Sequence, residues 1–336
     1  MTMRKRLVLA IALLLGGSAV AQAQDAPRIV MVSPNPLGVN DYLKLGAAGT
    51  QQAAAAHGGT AKIFESVDPI TRKRDLEAAA KDGASIVVSL GFEFTDLVTE
   101  VAKAYPKTSF IAVDYCPAEQ PDNLYCVFFR EHEMSFLAGA EAAWLKPSGT
   151  FGAIGGVDIP LIHRYTDGFL DGVKYASPDA QTRTVQFVGG ANPFSDPARA
   201  SQVASAMFFD NVDTILVAAG ASGGGVINAA QGMPGKTVVG ADANQCPTAP
   251  GSVIDNVEKR PDRGIVFAVD ALLSGHLERQ ISLGLKEGAV TLSTFEGTAD
   301  ETQCLGSKNA DVLARVKALR QDIIDGKVKV KDPMGQ

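Results

Sequence analysis

The sequence is short of nearly every pattern that marks a specialised chain. Only four of its 336 residues are cysteine, too few for a small disulfide knot, and its 34 glycines and 17 prolines follow no collagen-like repeat. Hydrophobic residues reach 46% against 20% charged, the balance of a packed protein with ample chain for a core and not of a disordered one. The net charge is −6; Arg4-Lys5-Arg6 supply +3 with no acid before Asp25, which leaves −9 for the remainder. No long basic stretch is left to follow a phosphate backbone, so no nucleic-acid partner is expected. There is no C-x-x-C, no paired-histidine spacing and no G-x-G-x-x-G after a strand, so neither a metal nor a cofactor is expected.

What is present begins at the N-terminus. After the basic triplet comes an apolar run, Leu7 to Leu15, then small residues ending in Ala21-Gln22-Ala23, an A-x-A site. This reads as a secretory signal peptide, residues 1–23, cleaved after Ala23. A membrane anchor needs about 20 apolar residues, and no later segment approaches 18. Export to a bacterial periplasm is therefore expected, where disulfides persist. Cys116 and Cys126 flank a Pro-, Asp- and Asn-rich segment that reads as a loop, and a bridge closing it needs only neighbouring flanking strands. By elimination Cys246 pairs with Cys304. Free buried thiols and a metal site are the rival readings, and the spacing disfavours the metal.

Apolar runs of strand length alternate with helical stretches along the whole chain. Strands are expected near Arg28–Ser33, Lys62–Glu65, Ile86–Leu90 and Ser109–Asp114, with helices between them and another at Met134–Leu145. The pattern restarts after Lys146-Pro147-Ser148-Gly149, with strands near Phe151–Ile154, Arg183–Val188, Thr214–Ala219, Thr237–Gly240 and Val253–Val257. A long helix is expected from Arg263 to Gly284 and a last one from Ala310 to Gly326, followed by a poorly ordered tail from Lys327. The alternation predicts an α/β chain with parallel sheets in two similar lobes. Ligands bind such sheets beyond the carboxyl ends of the strands, which places a site in the cleft between the lobes.

Three motif-like strings compete with that reading. Gly220-Ala221-Ser222-Gly223-Gly224 matches G-x-S-x-G between a strand and a helix, where a hydrolase would place its nucleophile. Its only downstream histidine is His276, expected on an amphipathic helix, so a glycine-rich turn facing a ligand is the plainer account. Gly235-Lys236-Thr237 lacks a P-loop's upstream glycine and precedes a strand; His132-Glu133-Met134-Ser135-Phe136 lacks the second histidine of a zinc motif. More telling are the aromatic and polar residues that gather after strands: Asn40, Asp41 and Tyr42; Phe92 and Phe94; Asn192 to Pro197 with Phe194; Gly220, Ser222 and Gly223; and Asp242, Asn244 and Gln245. Rings from opposite lobes can sandwich a flat ligand while carboxylates and amides hold its polar edge.

At these residues the chain resembles the basic membrane protein family of periplasmic substrate-binding proteins, which includes purine nucleoside receptors serving ABC transporters. The resemblance is carried by Phe129 to Gly139, Gly155 to Pro160 with Gly168-Phe169, Ala218 to Gly225, Val239 to Asp242, and Val257 to Arg260 with Asp262. It implies a type I periplasmic-binding-protein fold: two Rossmann-like lobes joined by a three-crossover hinge, lobe 1 as 24–145 plus 252–288 and lobe 2 as 146–251 plus 289–330. It further implies that Tyr42 and Phe194 stack on a base and that Asp242 accepts from ribose hydroxyls, since a carboxylate can accept from two neighbouring hydroxyls. The implied partner is an ABC permease, the implied chemistry none, and the implied state a monomer without lipid anchor. The family's Asp after the first strand is replaced by Ser33-Pro34-Asn35-Pro36, and its acidic stretch by Asn40-Asp41-Tyr42-Leu43. A nucleoside, a free purine base, another flat heterocycle and a sugar all remain open as the ligand.

Overall fold

Proline marks where the helices begin. Pro69, Pro160, Pro197 and Pro261 each stand in the first turn of a helix, where a missing N–H costs nothing and φ is preset. Asp68 and Asp196 stand just before two of them and accept from the backbone N–H groups of Thr71 and Arg199. Between helices the central strands include apolar runs such as Ile86–Leu90, buried on both faces as a helix-covered parallel sheet requires.

The computed structural model describes residues 26–335, so the expected signal peptide lies outside the described residues. The chain runs β1 (Arg28–Ser33), α1 (Asp41–Ala56), β2 (Thr60–Glu65), α2 (Pro69–Lys81), β3 (Ile86–Leu90), α3 (Val98–Ala104), β4 (Ser109–Val113) and β5 (Leu124–Phe129). It then crosses to α4 (Glu131–Leu145), β6 (Thr150–Gly155), α5 (Pro160–Ala176), β7 (Gln181–Thr182), β8 (Gln186–Phe187), α6 (Pro197–Phe209), β9 (Thr214–Ala218), α7 (Gly223–Gln231), β10 (Thr237–Ala241) and β11 (Val253–Lys259). It returns for α8 (Pro261–Leu273) and β12 (Gln280–Leu283), and crosses a third time to β13 (Val290–Leu292), α9 (Ala299–Thr302) and α10 (Ala310–Ile324). The first sheet has the order β12-β5-β4-β3-β1-β2, all parallel. The second has the order β13-β11-β10-β9-β6-β7, with β8 also on β6 and only β13 antiparallel.

Sheet membership moves the lobe boundaries away from those expected. Helix α4 packs against α5, and β11 lies inside the second sheet, so 131–145 and 253–259 belong with the second lobe. Small residues enforce the first contact. A Cβ on Gly139 would lie 1.9 Å from the Phe169 carbonyl oxygen, and one on Gly172 would lie 2.0 Å from that of Phe136. The crossings fall at Arg130, Arg260 and 284–289, and the first two are single residues with no loop-like sequence. Arg130 pairs with Glu133 and Glu287, and Arg260 with Asp262 and Glu296, so each crossing arginine is tied to acids beside it.

Two further expectations are corrected. The helix expected through Gly284 stops at Leu273, because Gly275 turns the chain at φ +74° and Gln280–Leu283 instead forms an edge strand beside β5. His276 is consequently exposed in a turn, not on a helix. The tail expected to be poorly ordered is tied down: Asp332 forms a two-point ion pair with the fully buried Arg164, and Met334 packs against the outer core of the first lobe. Both bridges are present, Cys116–Cys126 and Cys246–Cys304.

Candidate functional site

The carboxyl ends of the two sheets face one another across a cavity lined from both lobes. The first lobe contributes Pro34, Asn35, Asn40, Tyr42, Leu43, Gly91, Phe92, Glu93 and Asp114; the second contributes Leu161, Ile162, Tyr165, Phe194, Ala218, Gly220, Ala241, Asp242 and Lys259. The lobes meet over it. Phe92 and Phe194 are in edge contact with ring centroids 6.2 Å apart, and a Cβ on Gly220 would stand 3.5 Å from the Asn40 amide nitrogen. The Phe194 ring lies on the backbone of Gly156, where a Cβ would come within 2.4 Å of it, so this seat depends on glycine.

The lobes repeat one device. Asp114 follows β4 and Asp242 follows β10, both in left-handed backbone at φ +73° and +71°. The N–H of each donates to the adjacent strand, Asp114 to Val127 O at 2.9 Å and Asp242 to Val257 O at 3.0 Å. A left-handed aspartate at the end of a buried strand is costly and recurs at functional sites.

From Asp114 an ionic cluster crosses to the second lobe. Asp114 Oδ2 accepts from Tyr42 Oη at 2.5 Å and from Lys259 Nζ at 2.6 Å, and Lys259 also reaches Glu131 Oε1 at 3.3 Å. Lys259 stands over the rings of Tyr42, Phe129 and Tyr165 at 4.7, 5.6 and 5.6 Å. Burial works against its charge, but Asp114, Tyr165 and Glu131 outweigh that and raise its pKa. Burial also raises Tyr42 and Tyr165, and it lifts Glu131 to about 7 against the pull of Lys259. Asp242 lines the cavity; its carboxyl is raised to about 6 by burial, with Lys259 opposing and Asp41 and Asp114 adding to it.

Of the residues picked out in the sequence, Asn40, Tyr42, Phe92, Phe194, Gly220 and Asp242 converge on this cavity. Asn40 also caps α1, accepting from Leu43 N at 3.3 Å. The others do something else. Asp41 pairs with Lys44 outside, Phe94 is fully buried core, and Gly223 opens α7. Asn244 is spent on Cys246 N and Thr302 O, beside the bridge. Ser222 is fully buried; its hydroxyl donates to Pro193 O at 2.8 Å and accepts from Asp196 N at 2.7 Å. It clamps the turn that carries Phe194, and both hydrogen-bonding directions are used.

Sequence reasoning passed over Asp114, Lys259, Tyr165 and Glu93. Asp114 and Lys259 were visible as ionisable residues at strand ends, a placement that burial makes expensive unless the group is paired. Tyr165 shares a stripe with Leu161 and Ile162 on α5 that reads as ordinary core packing.

Comparison with known proteins agrees with this arrangement. The sequence model of the family described as "ABC transporter substrate-binding protein PnrA-like" matches residues 28–332. Basic membrane protein A of Borreliella burgdorferi is 32% identical over 222 residues, 64% of each chain. The CD4+ T-cell-stimulating antigen of Listeria monocytogenes is 29% identical over 286 residues, 80% of this chain and 76% of that one. Among solved structures, an ABC transporter solute-binding protein of Aeropyrum pernix superposes with a TM-score of 0.75 at 25% identity, covering 91% of this chain and 94% of the other. One from Conexibacter woesei gives 0.72 at 20%, covering 92% and 99%, a likeness of fold. A cleft between two crossover-linked lobes, matched over nearly the whole described chain, makes this protein a member of the PnrA-like family of ABC transporter substrate-binding proteins.

Proposed function

We propose that the protein is a periplasmic receptor that binds a purine nucleoside, or a related purine base, between its lobes and presents it to an ABC permease. One observation carries the reading: the cavity joins aromatic rings from both lobes, Tyr42, Phe92 and Phe194, to the carboxylate of Asp242, while its one lining cation, Lys259, is held by Asp114 and Glu131. Rings from the two lobes suit the two faces of a base. Asp242, whose carboxylate has no hydrogen-bond partner among the described residues, suits paired sugar hydroxyls. With Glu93, Asp114 and Asp242 against Lys259, the lining repels anions, so a nucleoside fits where a nucleotide does not.

The signal peptide carries the chain across the inner membrane, and cleavage after Ala23 frees it as a monomer. No helix among the described residues is long and apolar enough to cross a membrane. Ligand bridges the lobes and favours the closed form, which the permease recognises.

A thermal-shift screen of the purified protein against nucleosides, free bases, sugars and amino acids tests this. A ligand at about 1,000 times its Kd adds roughly 4 kcal/mol, or about 8 °C for a chain of this size. A purine nucleoside is expected to give that shift. A shift with a sugar or amino acid and none with any purine overturns the proposal.

A further inference from the structure

Glu93 sits between Phe92 and Phe94 in the turn after β3 and lines the cavity. Its carboxylate folds back over Gly91, where a Cβ would lie 2.6 Å from Glu93 Oε2 and 3.3 Å from Pro34 Cγ, so the acid rests beside the loop that follows β1. Gly91 permits this at φ +109°. No side-chain hydrogen bond or ion pair engages this carboxylate among the described residues; its own backbone N–H is the hydrogen-bond donor that bears on it. The cation that bears on it, Arg72, is committed to Pro34 O at 2.9 Å and Asn35 Oδ1 at 3.4 Å. A mostly buried carboxylate without a partner is costly, so a ligand that supplies donors there recovers that cost.

Its position within the cavity is specific. Glu93 is close enough to Asp114 and Tyr42 for their charges to interact, whereas Asp242 feels Asp114, Asp41 and Lys259. Glu93 lines the first-lobe side of the cavity next to Phe92, whereas Asp242 lines it from the second lobe, after β10.

Resting on the nucleoside reading, we infer that Glu93 is the specificity-determining residue, selecting a heterocycle that presents two neighbouring N–H donors. The N1–H and 2-amino groups of guanine form such an edge. Adenine presents an acceptor at N1, which opposes a carboxylate oxygen. A carboxylate accepts two parallel N–H bonds and offers no donor in return, so the two bases are separated by the sign of one contact. Inosine keeps N1–H and lacks the 2-amino group, which ranks it between the two.

Calorimetric titration of the wild type with guanosine, inosine and adenosine tests this directly. Guanosine is expected to bind roughly 10–100-fold tighter than adenosine, the scale of a hydrogen bond to a charged group, with inosine intermediate. In Glu93→Gln the amide supplies one donor and one acceptor, and the guanosine preference should collapse to within about threefold of adenosine or invert. The ligand-free melting temperature checks that the variant is folded. A wild type that favours adenosine, or a Glu93→Gln protein that folds and keeps the wild-type ratio, overturns the assignment of Glu93 and leaves the nucleoside reading standing. A wild type that binds no purine nucleoside overturns both.

Discussion

Replacing Lys259 with methionine keeps the length of the side chain and removes its charge from the centre of the protein. Lys259 is 6% exposed, its partners Asp114 and Glu131 are 4% and 0%, and the contacts are 2.6 and 3.3 Å. Asp114 belongs to the first lobe and the other two to the second, so the variant leaves Asp114 without its cation across the cleft and Glu131 with only Arg164, 3.5 Å away. Removing one partner of a buried ion pair costs about 3–5 kcal/mol, and for a chain of this size each kcal/mol lowers the melting temperature by about 2 °C. A drop of about 6–10 °C at pH 7.5 is the expected result. The pH dependence is the sharper part. Without the cation Glu131, already raised to about 7, rises further above its unfolded value, so the native state binds a proton that the unfolded state does not. Its stability is then lost as pH rises and regained as pH falls through 7 toward 5. Groups shared by both proteins, such as His132, cancel in the difference. Parallel urea melts at pH 7.5 and 5.5 should show the gap between variant and wild type narrowing at the lower pH. A gap below 1 kcal/mol, or one that widens on acidification, would refute the role given to this cluster.

Two other outcomes follow from the same geometry. Gly172→Ala must push α5 off the Phe136 carbonyl, which a Cβ would approach to 2.0 Å, and should cost about 2–3 kcal/mol in chemical denaturation. Gly224→Ala has nothing within 4 Å of its new Cβ and should be neutral or slightly stabilising, so equal losses at both positions would contradict the close α4–α5 contact. For ligand binding, Asp242 with a carboxyl raised to about 6 should accept hydroxyl donors only when ionised. Affinity should therefore weaken about tenfold between pH 7.5 and 5 in titrations, and Asp242→Asn should flatten that profile; an unchanged slope would remove Asp242 from the contact.

Much of the fold was readable because its signals are local. Five-residue apolar runs such as Ile86–Leu90 have one reading once helices flank them, and prolines in first turns mark the helix starts. The pairing of four cysteines was readable because one pair encloses a loop. The lobe boundaries were not: at Arg130 and Arg260 a single residue separates strand from helix, and the crossing has no linker composition. Strand β12 hid inside an expected helix because it is a four-residue edge strand whose partner, β5, lies over 150 positions earlier in the chain. The tail was unreadable for a similar reason, since Asp332 is fixed by Arg164, a contact no local pattern announces. In the site, aromatic residues after strands stood out, whereas the charges that pair across the cleft did not. Asp114 and Lys259 acquire their meaning only when two strand ends from different lobes face each other.

The central claim, that the inter-lobe cavity holds a purine nucleoside, is tested most directly by isothermal titration of the protein freed of bound solute by unfolding and refolding. The account predicts one guanosine per chain with a Kd in the micromolar range or tighter, about −8 kcal/mol or more, and binding at least tenfold weaker in Phe194→Ala and in Asp242→Ala. No heat of binding with any purine nucleoside, while a sugar or amino acid titrates to one per chain, would contradict it.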